Sequence, residues 1–449
     1  MKFDLSKEFL KELSEYISNG QMAEAKAMVQ DLHYADVAEI IDELNFDTAL
    51  SLFKILDGEP AADVLVELEE DVREKILANL SAKEIAEDVI ENLDSDDAAD
   101  LIGELSEEKK EEVLAQIEDL EQAKQIVDLL NYAEDSAGGL MAKELIQVNH
   151  KWSVMRCVKE MRRQAEDIEE VHAVYVVDDD IRLLGTLSLK KLLTTSTRTI
   201  VEDIFDSKVR SVKATTEAEE VAIIMKKYDM VVIPVVDDLD RLLGRITFDD
   251  ILDVMKDESD KDYQMASGIS ENVEASDSVL NLTRARLPWL IIGMFGGVLG
   301  AQVIGIFDIE KNMEMAFFIP LITAMGGNVG VQSSALVVQS LSNNSTGFDS
   351  LFQKMLKELM VALANGLVCS LLIFGAGIAL GYNPLLSLTV AIALLSVVLF
   401  ASLFGTFVPL ALNKYKIDPA LATGPFITTA NDVLGLFIYF YIGKMIFGY

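Results

Sequence analysis

The sequence predicts a multidomain chain with three parts. They are an all-α superhelical amino-terminal domain, an α/β pair of repeated modules, and an α-helical transmembrane bundle of five spans. Three observations predict it. Charge is divided unevenly: of the 38 Lys+Arg and 74 Asp+Glu in 449 residues, residues 287–449 hold only six and seven. That segment also contains five apolar stretches of about 20 residues or more, the length needed to cross a bilayer. The acidic remainder contains two internal repeats, one of short helices and one of strand–turn–strand units.

The helical repeat comes first. ADVAEIIDEL (35–44), AADVLVELEE (61–70) and DDAADLIGEL (96–105) each place apolar residues at i, i+3/i+4 and i+7. Such helix pairs stack into a superhelix, assigned here to residues 1–130. NYAEDSAGGLM (131–141) follows. Then VVDDDIRLLGTLSLKKLL (176–193) aligns without gaps on VVDDLDRLLGRITFDDIL (235–252), an offset of 59 residues. Each copy reads as an apolar strand, an acidic turn, a glycine before a short strand, and a helix start. This repeat resembles tandem CBS domains, regulatory modules that usually bind adenine nucleotides or other small effectors. They are assigned to 131–254, with the copies at about 137–200 and 201–254. The charged segment DVMKDESDKDYQ opens a connecting plug helix over 255–284, and the transmembrane domain fills 285–449.

The predicted spans run roughly 288–307, 317–341, 359–382, 386–412 and 420–447. If the chain alternates, Arg284, Arg286, Lys354, Lys357, Lys414 and Lys416 share one side, and only Lys311 and Lys444 fall on the other. The positive-inside rule then places the amino-terminal half in the cytoplasm and Tyr449 outside. MKFDLSKEFLKEL has no apolar core of a signal peptide, which agrees. Residues 1–286 carry 32 basic and 67 acidic side chains. That balance argues against nucleic acid and anionic lipid and favours cations as partners. Cys157 and Cys369 lie in different halves, so no disulfide framework is implied. His33, His150 and His172 make no metal-ligand spacing.

One residue in the apolar half stands out. Asp432 sits in PFITTANDVLGLFIYF (425–440), with Asp418 and Lys444 as its nearest charged neighbours in sequence. A carboxylate at the centre of a span costs at least about 2.5–3.5 kcal/mol on insertion scales and by default marks a function. Asp432 reads as the one carboxylate inside a span. Two chains on a two-fold axis would supply two such groups. In the second stretch, the small residues of GGNVG allow close helix approach, and Asn328 and Gln332 offer hydrogen bonds to water or to other helices.

PLITAMGGNVGVQSSALVVQSL (320–341) and IDPALATGPFITTANDVLG (417–435), with the helical domain, SAGGLM and the CBS pair, closely resemble the MgtE magnesium channel/transporter family. The resemblance implies a homodimer with one central pathway lined by the second and fifth spans. It implies that Asp432 binds hydrated Mg2+ there, with Asn328, Gly330, Gln332, Thr428, Asn431 and Gly435 lining the way. It further implies Mg2+ sensing where acidic faces of the helical domain, the second CBS domain and the plug helix meet. The matching positions are Asp63, Asp96 and Asp100; Glu217, Glu219, Asp229, Asp250 and Asp253; and Glu258 and Asp262. Such facing carboxylates repel one another in low Mg2+ and are bridged in high Mg2+, a differential contact able to drive a switch. Lys261 departs from the pattern by standing where the family carries an acid.

For nucleotide, CBS folds often use Ser/Thr-x-x-Asp at a helix start, whose Asp holds the ribose. Thr247-x-x-Asp250 fits this pattern, but the first copy, which matters for ATP in the family, reads Ser188-x-x-Lys191. Weak ATP binding is therefore expected. Two other functions compete with a Mg2+ pathway. One is transport of Mn2+, Co2+ or Zn2+, against which the fifth span's lack of His and Cys counts. The other is a membrane-anchored nucleotide sensor without transport, which leaves Asp432 without a purpose. No nucleophile–base pair or metal cage suggests an enzyme.

Overall fold

The computed structural model describes residues 5–448 except 57, 166–167, 169–170, 271–272, 274–276, 308, 343–350 and 423. It divides into two compact units, Met1–Lys256 and Asp257–Tyr449.

The first unit opens with short helices, from Lys7–Ser18 to Leu120–Leu129. The three repeated motifs fall on Tyr34–Asp42, Gly58–Glu67 and Ser95–Gly103. Each buries the same four-residue pattern: Val37, Ala38, Ile40 and Ile41; Ala61, Ala62, Val64 and Leu65; Ala98, Ala99, Leu101 and Ile102. Short helices of this kind are marginal alone and depend on such packing. Local caps set their starts. Asn45 accepts the Thr48 amide, Ser81 and Glu84 form a reciprocal capping box, and Asp119 accepts from Glu121 and Gln122.

Two three-stranded sheets follow. Strands β1 (Ile146–Asn149), β2 (Val174–Val177) and β3 (Leu183–Leu187) form one; β4 (Val212–Lys213), β5 (Val232–Val236) and β6 (Leu242–Thr247) form the other. In each, the first pair is parallel, the second pair antiparallel, and the register slips at the end of the central strand, after Val176 and after Val235. The acidic turns also repeat. Asp178 caps the amides of Asp180 and Arg182, and Asp237 those of Leu239 and Arg241. Ile181 and Asp240 both take positive φ, 64° and 60°. The two turns then grip each other: Leu183 N donates to Asp240 O at 2.9 Å, and Leu242 N to Ile181 O at 3.0 Å. The offset of 59 is thus a pseudo-two-fold axis.

The repeated glycine has a steric reason. A Cβ on Gly185 would lie 2.1 Å from Asp206 O, and one on Gly244 would lie 2.6 Å from Ala142 O. Each glycine lets an outer segment pair with the sheet edge, and for the second sheet that segment follows SAGGLM. The second CBS domain shares one apolar core with the helical domain, through Met141, Val235, Ile246 and Ile251 among others. The first keeps its own around Val148, Cys157, Val176 and Leu192.

The plug helix differs from the sequence expectation of 255–284. It runs Phe248–Ala266, continuous with the second CBS domain's last strand, and Gly268 at φ 85° follows its end. Ser278 then caps a new helix, Val279–Ile306, which carries the first span. The remaining spans lie on Ile319–Ser342, Leu351–Ala379, Pro384–Lys414 and Gly424–Phe447. Among the described residues, five helices are therefore long and apolar enough to cross a membrane. The fourth is the axis of the bundle, burying Leu386, Val390, Leu394, Val397 and Val398 alongside Ala393, Ala401 and Gly405. The third helix begins eight residues before the predicted span and so includes Glu358. Asp432 is accordingly not the one carboxylate within these helices, because a short charged entry to the third stretch continues its helix without a break.

Candidate ion pathway and acidic cluster

Between the second and fifth spans lies a cleft of about 370 Å3, lined by Thr323, Ala324, Gly327, Asn328, Val331, Gln332, Thr428 and Asp432. Residues 324, 327, 328 and 331 follow one stripe of the second span, and Thr428 and Asp432 stand one turn apart on the fifth. Asp432 is half-buried and brings the cleft's one charge. Six waters at about 30 Å3 each occupy roughly 180 Å3, so a hydrated Mg2+ fits this volume. The donor set is a carboxylate, two amides and two threonine hydroxyls, all of it suited to the waters of a hard cation.

Three residues expected along the pathway lie instead inside the bundle. Gly330, Asn431 and Gly435 are buried. A Cβ on Gly330 would meet Asn431 Nδ2 at 1.9 Å, and one on Gly405 would meet Gly330 O at 2.4 Å. Gly330 is therefore the notch in which the second, fourth and fifth spans meet. Asn431 is 1% exposed, and both polar atoms of its amide are without a hydrogen-bond partner among the described residues. An unpaired buried polar group costs about 1–3 kcal/mol. Successive residues on a helix point about 100° apart, so Asp432 and Asn431 cannot both face the cleft. Gly435 packs against Val397.

In the first unit, the Ser95–Gly103 helix carries a dense run of acids. Single carboxylate oxygens of Asp94, Asp96 and Glu144 lie within 4.8 Å of one another. Burial raises the Asp96 pKa well above the ordinary carboxylate range, helped by the charges of Asp97, Asp250, Asp94 and Glu144. Burial likewise raises Asp97 to about 7, with Asp250, Asp100, Asp94 and Asp63 adding to it. Asp63, Asp96, Asp100 and Asp250 are thus brought together. Asp94, Asp97 and Glu144 join them, although nothing in the sequence singled them out. The run DSDDAAD was the available signal for Asp94 and Asp97. Glu144 is distant in sequence and carried none. Its Oε2 accepts from Ser95 Oγ at 2.8 Å, and Arg245 donates to Glu144 O at 2.5 Å and to Asp94 at 3.3 Å.

The other acids expected to sense Mg2+ are dispersed. Glu217, Glu219 and Asp229 are exposed at the two ends of the Ala218–Tyr228 helix, and Asp253 is exposed on the next. In the second unit, Lys261 pairs with Glu258 at 3.0 Å. The Glu258 hydrogen bond, then its charge and those of Asp418 and Asp262, hold the Lys261 pKa up. A tethered cation therefore already stands among Glu258, Asp262 and Asp418.

A pocket of about 490 Å3 lies between the two CBS copies, with Tyr175, Ser188, Lys208, Arg210, Tyr228 and Pro234 in its walls. The Arg210 guanidinium stacks 3.6 Å from the centre of the Tyr228 ring. Lys191 is not in these walls; its Nζ donates to Ile204 O at 2.9 Å. At the equivalent place in the second copy, Thr247 donates through Oγ1 and its amide to Asp250, at 2.6 and 2.9 Å.

Known families match the chain in the same order. A divalent cation transporter family covers residues 319–442, the MgtE intracellular N domain covers 32–135, and CBS domains cover 137–197 and 201–257. The chain is 34% identical over 314 residues to a magnesium transporter MgtE of Bacillus subtilis, 70% of each chain. It is 36% identical over 322 residues to that of Thermus thermophilus, 71% of each. A crystal structure of the cytosolic domain of the Mg2+ channel MgtE in complex with ATP matches at 33% identity and a TM-score of 0.50. It covers 55% of this chain and 99% of that one. The shared order of domains and the identity over more than two thirds of both chains place this protein in the MgtE family of divalent cation transporters.

Proposed function

We propose that the chain is a Mg2+-selective channel/transporter of the cytoplasmic membrane, working as a homodimer with its amino-terminal half in the cytoplasm. The observation that carries this reading is Asp432, a single carboxylate in a polar cleft between two spans, with room for a hydrated ion. The membrane potential is the driving force. A divalent ion entering at −100 mV gains about 4.6 kcal/mol, twice the value per unit charge, so no ATP hydrolysis is needed. A pathway so driven needs a stop, and the acids around Asp97 supply one: they repel one another until a divalent cation joins them. Cytosolic Mg2+ bound there closes the pathway. The test is Mg2+ flux into liposomes containing the purified protein, with Mg2+ titrated on the cytosolic face. Asp432→Asn keeps the shape and removes the charge, so flux should be lost while the dimer persists. Wild-type flux in that variant would remove Asp432 from the pathway.

A second reading concerns nucleotide, and Tyr228 with its stacked Arg210 favours it. The pocket offers aromatic and apolar walls for a base, with Lys208 and Arg210 for phosphates. With Lys191 tied to a backbone carbonyl and no carboxylate at that position, the ribose loses one partner. Adenine nucleotide binds here, more weakly than in a pocket with that Asp. Calorimetry with ATP, AMP and adenosine tests it, and no heat from any of the three would exclude the pocket.

A further inference from the structure

A carboxylate in the third span serves no purpose in the pathway as described. Glu358 lies in the second turn of the third span's apolar stretch, Gln353–Ala379. Its Oε1 accepts from Ser333 Oγ of the second span and from Ser402 Oγ of the fourth, both at 2.6 Å. The two serine oxygens are 3.0 Å apart, and the serines are 4% and 1% exposed. One oxygen atom thus ties three helices together. No basic side chain pairs with Glu358 among the described residues. Two hydroxyl donors converging on one atom call for an acceptor with two lone pairs, as a carboxyl or amide oxygen provides. Both separations, 2.6 Å, lie at the short end of the hydroxyl hydrogen-bond range.

Ser333 is the residue after Gln332, and it shares a stripe with Gly326 and Gly330, spaced four and three apart. That stripe is the inner face of the second span. Gly326 meets Val397, and Gly330 meets Asn431 and the backbone of the fourth span through Gly405. Asn328, Val331 and Gln332 form the opposite, cleft-facing stripe. The glycines let the second span pack closely on the fourth and fifth, and the Ser333–Glu358 bond ties the same face to the third. Resting on the pathway proposed above, we infer that Glu358 is a positioning residue for cation permeation. It fixes the rotation and depth of the second span, and so holds Asn328 and Gln332 opposite Asp432.

The experiment compares Glu358→Ala, Glu358→Gln and the double variant Ser333→Ala/Ser402→Ala in liposomes. It measures half-saturating Mg2+, the Mg2+/Ca2+ flux ratio and maximal flux per inserted dimer. A second measurement places Gln332→Cys in a background with Cys157 and Cys369 replaced by serine. There the rate of modification by a membrane-impermeant thiol reagent reports how the second span is turned, whatever ion passes. Glu358→Ala and the double serine variant should raise half-saturating Mg2+ and change the modification rate by about tenfold, since small misplacements of positioned groups have large effects. Glu358→Gln retains a carbonyl acceptor for both serines and should restore both readouts to within about threefold of wild type. A loss of inserted dimer with unchanged half-saturation, flux ratio and modification rate would make Glu358 a stabilising residue only and overturn the inference. If Glu358→Ala does not insert, the double serine variant decides by the same readouts. Failure of the pathway itself is separate: Asp432→Asn would then conduct normally, while the thiol at position 332 would still report on the second span.

Discussion

The acids around Asp97 and the carboxylates of Asp432 and Glu358 in the spanning helices use one chemical group in opposite ways. In the first unit, Asp63, Asp94, Asp96, Asp97, Asp100 and Asp250 act on one another, with Arg245 paired to Asp94 and Arg73 near Asp100, and the acids outnumber these cations. In the bundle the carboxylates stand apart and differ by their surroundings. Asp432 faces an open cleft and pairs with no basic side chain among the described residues, whereas Glu358 accepts from two hydroxyls inside the bundle. On the function proposed above, crowding makes the sensor, access to water makes the binding site, and enclosure by donors makes the anchor.

The comparison breaks most sharply at Asp432. Replacement by Asn should lower Mg2+ flux by at least about a hundredfold, since the cost of an unpaired binding interaction falls wholly on the ion. Asp432→Glu should be partly active at best, because Mg2+ tolerates little change in geometry. Flux through both variants at the wild-type rate would make Asp432 as structural as Glu358.

Removing residues 1–130 deletes most of the crowded cluster and should weaken inhibition by cytosolic Mg2+ by roughly tenfold or more, the range of coupling between distinct sites. Permeation should persist. An unchanged inhibition curve would move the sensor out of this cluster.

Acidification sharpens the same contrast more gently. The Asp97 pKa is raised from an ordinary value of 3.8 to about 7, so the fold penalises its ionised form. That penalty is absent below about pH 4, grows as pH rises, and is complete above about pH 7. Without Mg2+, the Tm of residues 1–256 should therefore be higher at pH 5.5 than at pH 8, by roughly 5 °C. Mg2+ should raise the Tm strongly at pH 8 and little at pH 5.5. Asp97→Asn should flatten both differences; if it leaves them intact, Asp97 is not the centre of the cluster.

The smallest effect concerns Lys191. Lys191→Asp restores a carboxylate at the helix start beside Ser188 and should tighten binding of adenosine and ATP by about tenfold, the value of one hydrogen bond to a charged group. Calorimetry measures it. An unchanged affinity would show that the ribose is held elsewhere in the pocket.

Much of this was legible in the residues. The offset of 59 reappears in strand register, in the positive-φ turns and in the glycines that admit an outer segment. Asp432, Asn328, Gln332 and Thr428 were readable because polar side chains in an apolar stretch are rare, and the structure gathers those four in one cleft. The plug helix was read too long because its end depends on Gly268 and a serine cap. Those are single residues within a uniformly polar stretch.

Composition and periodicity therefore settled which segments are helices, which cross the membrane and which repeat, because these follow from local preferences and from the length of a bilayer. They could not separate Asp432 from its neighbour Asn431, nor find the partners of Glu358, Glu144 or Asp97. The rotation of each spanning helix depends on glycine notches meeting side chains from distant segments, as Gly330 meets Asn431 and Gly405. The electrostatics of each carboxylate depends on residues up to about 150 positions away, as Asp97 depends on Asp250. Close approach of this kind is decided by packing, and packing leaves no mark in any local window of sequence.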